Sequence, residues 1–306
     1  MKSEWAGTVY PCVPGHEIVG RVSKIGAEVT GFAVGALAGV GCMVNSCGAC
    51  ESCQLGLQQY CDRSQITYTY NSKDRSGAGP VTYGGYSSQV VVDEAFCLRI
   101  SDKLALAAAA PLLCAGITSW SPLKHWNITK GQRVGVVGLG GLGHMAVKLA
   151  HALGAHTVMF TSTPSKAEDA HRLGADEVVI TRDPAAFKPH RSSFHLIIDT
   201  AAGSHDLDAY TRLLRRDAAL VLVGIPQHPH PSPSVSPLLG ARRSIAGSSI
   251  GGIAETQEML DFCAAHGIVS DVEIIPIQKI NEAYARMLKN DVKYRFVIDN
   301  ASLASA

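Results

Sequence analysis

Four cysteines lie close together at Cys47, Cys50, Cys53 and Cys61, with spacers of two, two and seven residues. Thiolates are soft ligands that suit Zn²⁺, and four of them at about 2.3 Å complete a tetrahedron with no position left for substrate. The spacing therefore predicts a closed structural zinc site that pins a loop, with turns at Gly48 and Gly56. A redox Cys-x-x-Cys pair is the competing chemistry, and it needs no third or fourth partner.

A second constellation, Gly138-Leu-Gly140-Gly-Leu-Gly143, follows an apolar strand and opens a helical pattern. That context is the one a dinucleotide-binding turn requires. Gly138 permits the tight turn, Gly140 lets backbone approach a pyrophosphate, and Gly143 allows close helix packing. Gly141 and Leu142 complete the turn, whose helix supplies free N–H groups and positive potential. An NAD site places Asp or Glu about twenty residues further on, at the ribose. Here the region from Phe160 to Lys166 carries no carboxylate, while Ser162, Thr163 and Lys166 can donate to a 2′-phosphate. NADP(H) is the expected cofactor; the plainer reading of Lys166 is a solvated residue at a helix start.

These features must be positioned by a chain of 306 residues, twice the usual domain size, so two domains are expected. An apolar fraction of 46% can fill two cores. With 27 basic and 26 acidic side chains, no charge run offers a face for nucleic acid or membrane, which leaves small molecules as partners. Cys12, Cys42, Cys97, Cys114 and Cys263 are scattered through apolar surroundings, as suits reduced thiols in the cytoplasm. The opening Met1–Trp5 lacks the apolar core of a signal peptide, and no apolar run reaches transmembrane length. These features predict a soluble, intracellular protein.

Up to about Leu98 the chain is rich in glycine and in short β-branched runs, Ile18–Val22, Val40–Val44 and Tyr86–Val92, which predict a small β domain holding the cysteine loop. Lys103–Thr118 reads as helical and marks the passage to a second domain. There strands are expected at Arg133–Val137, His156–Phe160, Glu177–Ile180, Phe194–Asp199 and Ala218–Gly224, with helices at Leu142–Leu153, Lys166–Leu173 and Leu207–Leu214. Continuous apolar strands alternating with helices indicate a parallel sheet covered on both faces. The prolines from Pro226 to Pro237 indicate a surface loop whose His228 and His230 are solvated. Strands at Ser244–Ile250, Glu273–Ile277 and Tyr294–Asp299 and helices at Glu255–His266 and Ile280–Lys289 close the chain.

Taken singly, Gly15-His16-Glu17 reads as a surface turn and Cys114 as a small buried hydrophobe. Taken in order, Gly15-His16-Glu17, the four clustered cysteines, Pro111–Thr118 with Cys114 inside it, and the glycine turn resemble the zinc-dependent medium-chain alcohol dehydrogenases. The likeness is greatest to the cinnamyl-alcohol-dehydrogenase-like branch of NADP-dependent aldehyde reductases, and Gly251–Glu258 and Lys293–Asp299 share it. The resemblance covers nearly the whole chain. It implies an α/β protein with a GroES-like β-rich catalytic domain, residues 1–113 and 272–306, and a doubly wound Rossmann domain, residues 114–271. It makes His16 and Cys114 catalytic zinc ligands and Glu17 a neighbouring, exchangeable one. It also places Thr118, Gly224, Ser248, Ile250 and Arg295 at the cofactor.

The implied activity is hydride transfer between NADP(H) and a primary alcohol or aldehyde, broad or aromatic, by a cytoplasmic homodimer, with zinc polarising the carbonyl oxygen. In the resembled family a segment ending in Gly-x-Cys-His-Ser-Asp precedes the counterpart of Met1. Its cysteine is the first catalytic ligand, so the resemblance implies that His16, Glu17 and Cys114 supply three. Cys12, near His16, is read as a buried thiol rather than a replacement. The alternatives are a dinucleotide binder of the same fold with an impaired catalytic zinc site, and a zinc-ribbon interaction module, which the balanced charge and complete glycine turn disfavour.

Overall fold

The structure, a computed structural model, describes residues 7–77 and 79–305; the opening Met1–Trp5 read above lies outside them. Two compact units emerge, residues 1–117 with 250–306 and residues 118–249.

In the first unit β1 (Ile18–Arg21) pairs antiparallel with β2 (Leu37–Val40), Ile18 facing Val40. After Gly41 and Cys42 the chain resumes as β3 (Met43–Asn45), then the one-turn helix α1 (Glu51–Gln54), β4 (Thr67–Tyr68) and β5 (Leu98–Arg99). β3 pairs with β4 and β2 with β5, both antiparallel. The single run expected at Val40–Val44 is therefore two strands in two sheets. The strand expected at Tyr86–Val92 is absent: the Ser87 hydroxyl donates to the carbonyls of Gly84 and Gln89, at 3.0 Å each, which bends the chain out of the extended form. Between Lys103 and Thr118 the expected helix is broken. α2 (Leu106–Ala109) tightens into a 3₁₀ turn at Ala110–Leu113, and α3 (Ala115–His125) begins only after Cys114. Pro111, which lacks an N–H and restricts the residue before it, sits at that break.

The second unit is strand and helix in alternation: β6 (Arg133–Val137), α4 (Gly143–Ala152), β7 (His156–Thr161), α5 (Ala167–Arg172), β8 (Glu177–Ile180), β9 (Phe194–Asp199), α6 (Leu207–Thr211), β10 (Leu214–Leu222), α7 (Val235–Leu239) and β11 (Ser244–Gly247). All six strands pair in parallel in the order β11-β10-β9-β6-β7-β8. This is the doubly wound order, whose direction reverses between β6 and β9, beside the glycine turn. Its strands are apolar at their centres, as a doubly covered parallel sheet requires, and Phe160, Phe194, Leu196, Ile197 and Ile198 are completely buried, while Arg215, Arg216 and Asp217 in the first half of β10 are exposed.

The chain then returns to the first unit with α8 (Ile253–His266), β12 (Val272–Pro276), α9 (Ile280–Met287) and β13 (Arg295–Asp299), the last two strands parallel. The unit boundaries thus fall at 117/118 and 249/250, not at 113/114 and 271/272. Local bonds give the reason: Ile253 N–H donates to the Gln58 side chain (3.2 Å), Gln257 bonds both ways with the Arg99 backbone (2.8 and 3.1 Å), and a Cβ on Gly252 would strike the Gly56 carbonyl. Among the described residues no single helix is long and apolar enough to cross a membrane.

The proline-rich segment is a loop only to Ser234, because Pro237 is accommodated in the first turn of α7, where N–H groups have no helical partner. His228 is exposed as expected, but His230 is half-buried against His205, ring centroids 4.7 Å apart. His205 Nε2 in turn lies 3.0 Å from a carboxylate oxygen of Asp199, the buried end of β9. Burial works against protonation of His205, yet the Asp199 carboxylate and the Gly203 carbonyl outweigh it and raise its pKa. A histidine raised above its ordinary value of about 6.5 lends full stability below that value and loses it as pH rises through the folded pKa. His205→Gln is expected to lower Tm clearly at about pH 5.5 and little at about pH 9, by thermal unfolding across pH; equal losses would refute the pairing.

Candidate functional site

The four clustered cysteines are brought together as their spacing predicts. Their sulfurs all lie within 4.8 Å of one another, with Cys47 Sγ 3.8 Å from Cys53 Sγ and Cys50 Sγ 3.9 Å from Cys61 Sγ. Sulfurs at 2.3 Å from a tetrahedral zinc are separated by about 3.8 Å, so the cage fits the ion. The α1 turn presents Cys50 and Cys53, Gly48 and Gly56 take positive φ at +65° and +79°, and Ser52 bonds twice to the Asp62 carboxylate (2.6 and 3.1 Å) to close the loop. The thiols differ without metal: backbone N–H donors, led by that of Cys47, hold Cys61 down to about 6, and burial pushes Cys50 up to about 11.

A second cluster forms from residues distant in sequence. A ring nitrogen of His16 and the sulfurs of Cys42 and Cys114 lie within 4.8 Å of one another, all partly buried. Gly15 makes the approach possible, since its φ is +106° and a Cβ there would sit 2.8 Å from the Tyr86 ring and 2.9 Å from Gly85 N. Backbone bonds from Gly84, Gly85 and Tyr86 to Val13, Gly15 and Pro14 (2.7 to 2.9 Å) lash the segment in place, and Tyr70 stacks on the His16 ring at 5.8 Å. A hydrogen bond from Cys42 lowers the Cys114 thiol to about 6, and burial opposes the shift while His16 adds to it. Cys42 is correspondingly pushed well up by that bond and by burial. Burial works against a charged His16, but its bond to Cys114 leaves its pKa raised.

Glu17 is engaged elsewhere, in a short ion pair with Arg295 of β13. Arg295, expected at the cofactor, thus faces the carboxylate beside His16, and that pairing outweighs burial and raises its pKa further. Cys12 is not in the cluster.

In the second unit, Gly138 has φ +88° and Gly143 has no room for a side chain, its Cβ falling 1.9 Å from the Gly138 carbonyl oxygen. Gly140 is exposed and faces open space, as close approach of a ligand requires. Gly141 is half-buried, and the Leu142 carbonyl accepts from the Ser119 hydroxyl at 3.1 Å. The Thr200 hydroxyl, at the end of β9, donates to Val137 and Gly138 carbonyls (2.8 and 2.9 Å) and fixes the turn. Lys166 Nζ reaches back to donate to the Leu139 carbonyl at 2.8 Å, and burial lowers its pKa. Ser162 is exposed, and Thr163 N–H bonds to the Thr161 hydroxyl at 3.1 Å. Gly224 and Ser248 lie at the ends of β10 and β11, Gly224 N–H bonding to Asp199 and Ser248 N–H to Leu222 (3.0 and 3.1 Å). Thr118 is buried in α3, and Ile250 has φ +40° in the first unit.

Residues 1–102 match the alcohol dehydrogenase GroES-like domain, and residues 141–265 match the zinc-binding dehydrogenase domain. Aldehyde reductase YahK of Escherichia coli (strain K12) is 59% identical over 304 residues, 99% of this chain and 86% of that protein. The chain belongs to the zinc-dependent medium-chain alcohol dehydrogenases. Among solved members of this family, a cinnamyl alcohol dehydrogenase from Sorghum bicolor superposes with TM-score 0.93 at 42% identity, covering 98% of this chain and 84% of that one. A Helicobacter pylori cinnamyl alcohol dehydrogenase complexed with NADP(H) gives TM-score 0.90 at 40% identity, covering 98% and 85%. These likenesses extend over the GroES-like and Rossmann parts, and the expected branch, zinc dependence and NADP(H) cofactor follow from them.

Two members of the His16 cluster escaped sequence reasoning. Cys42 carries no spacing signal, being far from His16 and Cys114 along the chain, and Tyr70 is one of nine tyrosines with nothing to single it out. For the four-thiolate cage, Cys61→Ser is expected to hold one zinc fewer per chain and to unfold at a lower temperature, since structural zinc contributes on the order of 10 kcal/mol. Elemental analysis with thermal unfolding checks this; unchanged zinc content would rule out the cage.

Proposed function

We propose that this alcohol dehydrogenase and aldehyde reductase moves hydride between NADP(H) and broad or aromatic primary alcohols and aldehydes at a metal centre held by His16 and Cys114. The observation that carries the reading is the convergence of His16 and Cys114 in the first unit, a soft-to-borderline donor set that suits Zn²⁺. Zinc held there supplies a Lewis acid for a carbonyl oxygen, and the nicotinamide supplies the hydride.

The chain's own residues prepare that chemistry. Gly15 and the backbone bonds around it orient His16, and stacking on Tyr70 limits rotation of the ring. Glu17 and Arg295 neutralise one another beside the centre. The open face of Gly140 and the helix behind it receive a pyrophosphate, while Ser162, Thr163 and Lys166, with no carboxylate among them, receive the 2′-phosphate. The Lys166 ammonium is held at the glycine turn by Leu139, which keeps a cation where an anion is to bind. On the same reading the enzyme is a homodimer of the cytoplasm, where its nine unbridged thiols stay reduced. A cofactor binder with an impaired centre is not favoured by relatives such as an aldehyde reductase.

Two outcomes test the reading. Cys114→Ser should lower NADPH-dependent reduction of an aromatic aldehyde on the order of a hundredfold or more while NADPH still binds; full activity would dismiss the centre. Lys166→Ala should raise KM for NADPH by roughly tenfold and leave KM for NADH nearly unchanged, as loss of a charge-assisted bond to phosphate requires. Equal effects on both cofactors would remove Lys166 from the 2′-phosphate.

A further inference from the structure

We propose that Asp199, His205 and His230 form a further site for a divalent transition metal, with Zn²⁺ the ion their donors suit, in the second unit and outside both sulfur clusters. A carboxylate oxygen and one nitrogen from each ring lie within 4.8 Å of one another. Oxygen and nitrogen donors around a tetrahedral zinc stand about 3.4 Å apart, so the three residues close on an ion with little movement.

The buried end of the cluster calls for a cation. Asp199, the last residue of β9, is 2% exposed, and its carboxylate is only half satisfied. Oδ1 accepts from Ala201 N–H at 3.0 Å, whereas Oδ2 has no hydrogen-bond partner. His205 Nε2 lies 3.0 Å from a carboxylate oxygen of Asp199 and is itself without a hydrogen bond, so the two atoms face each other at a ligand-to-ligand distance. The other ring nitrogen is committed, because Nδ1 lies 2.9 Å from the Gly203 carbonyl and must donate to it. A neutral His205 thus turns a lone pair toward a buried carboxylate, which is stable only with a proton or a metal ion between them. The proton fills that place in the metal-free chain, and the ion replaces it.

The proline-rich loop brings the third donor, tethered at three points. Gln227 N–H donates to the Ala202 carbonyl at 3.4 Å, and the Ser204 hydroxyl donates to the Pro229 carbonyl at 2.8 Å. His230 Nδ1 sits 3.2 Å from the His205 backbone nitrogen and 3.3 Å from the His205 carbonyl oxygen, so backbone holds the ring in either tautomer. The tautomer that donates to the carbonyl leaves Nε2 for a metal. Both rings are anchored to backbone through Nδ1, as ligating histidines are, and both are partly exposed, which gives an ion a route in. Two imidazoles and a carboxylate favour Zn²⁺ over Mg²⁺ or Ca²⁺, which take shells of oxygen.

The test is calorimetric titration of Zn²⁺ into the full chain and into His230→Ala, each already holding its cage zinc, at about pH 7.5, where imidazole ligands are largely deprotonated. Wild type is expected to take up one more ion than His230→Ala, or to bind that ion at least about tenfold more tightly. A cooperative thermal transition shows that the variant is folded. Should it not fold, modification of the wild-type histidines by diethyl pyrocarbonate, mapped by mass spectrometry, gives the second measurement. Added Zn²⁺ should protect His205 and His230 but not His228, which is exposed two residues away. Equal zinc uptake and affinity in a folded His230→Ala, or modification of His205 and His230 that is indifferent to zinc, overturns the inference.

Discussion

Sulfur held against sulfur without a bond between them is the constraint around which the first unit is built. Seven donor atoms, six of them sulfur, gather in two clusters, and neither cluster is an ordinary apolar contact. Buried thiolates left unpaired are costly, so each cluster is a stable arrangement only with a cation or a shared proton in it. The opposed pKa shifts within each group express that conflict: Cys61 and Cys114 fall to about 6, Cys50 rises to about 11 and Cys42 rises as well. A soft divalent ion resolves it in the four-thiol cage, where four thiolates close a coordination sphere and leave no position for a substrate oxygen.

The surrounding backbone is shaped to make these approaches possible. Glycines stand where a side chain would prevent contact: Gly15 against Tyr86, Gly41 against Leu113 and Gly252 against Gly56. Short strands, one-turn helices and turns serve this purpose better than long regular elements, because donors from separate segments must converge within a few ångström. The second unit solves a different problem. Its parallel strands are mostly apolar in their central residues, and its chemistry is confined to the strand ends, where the order of the sheet reverses and Gly138–Gly143 opens toward α4. The clash a Cβ would meet at Gly143 and the open space at Gly140 assign those two glycines opposite duties, one for packing and one for ligand access.

Arg295 shows how tertiary context adds a partner that no local pattern announces. Near the end of the chain, it pairs in the fold with Glu17 near the beginning. The same happens to His230, which a proline-rich stretch marks as solvated and which packs against His205 instead. In both cases the partner comes from a separate element, and no local pattern encodes it.

The sequence by itself determined what is local. The cage of Cys47, Cys50, Cys53 and Cys61 is legible because its ligands fall within one loop. The glycine turn is legible because strand, turn and helix are consecutive, and the Rossmann strands because burial on both faces leaves continuous apolar runs. Only the tertiary structure decided what depends on distant segments meeting. It separated β2 from β3 at Gly41, ended α2 at Ala109 ahead of Pro111, assigned α8 to the first unit through Gln58 and Arg99, and set Cys42 beside His16 and Cys114. A lone cysteine has the same sequence signature whether its neighbours are leucines or ligands, and only the closing of β-strand links against the segment before α3 distinguishes the two.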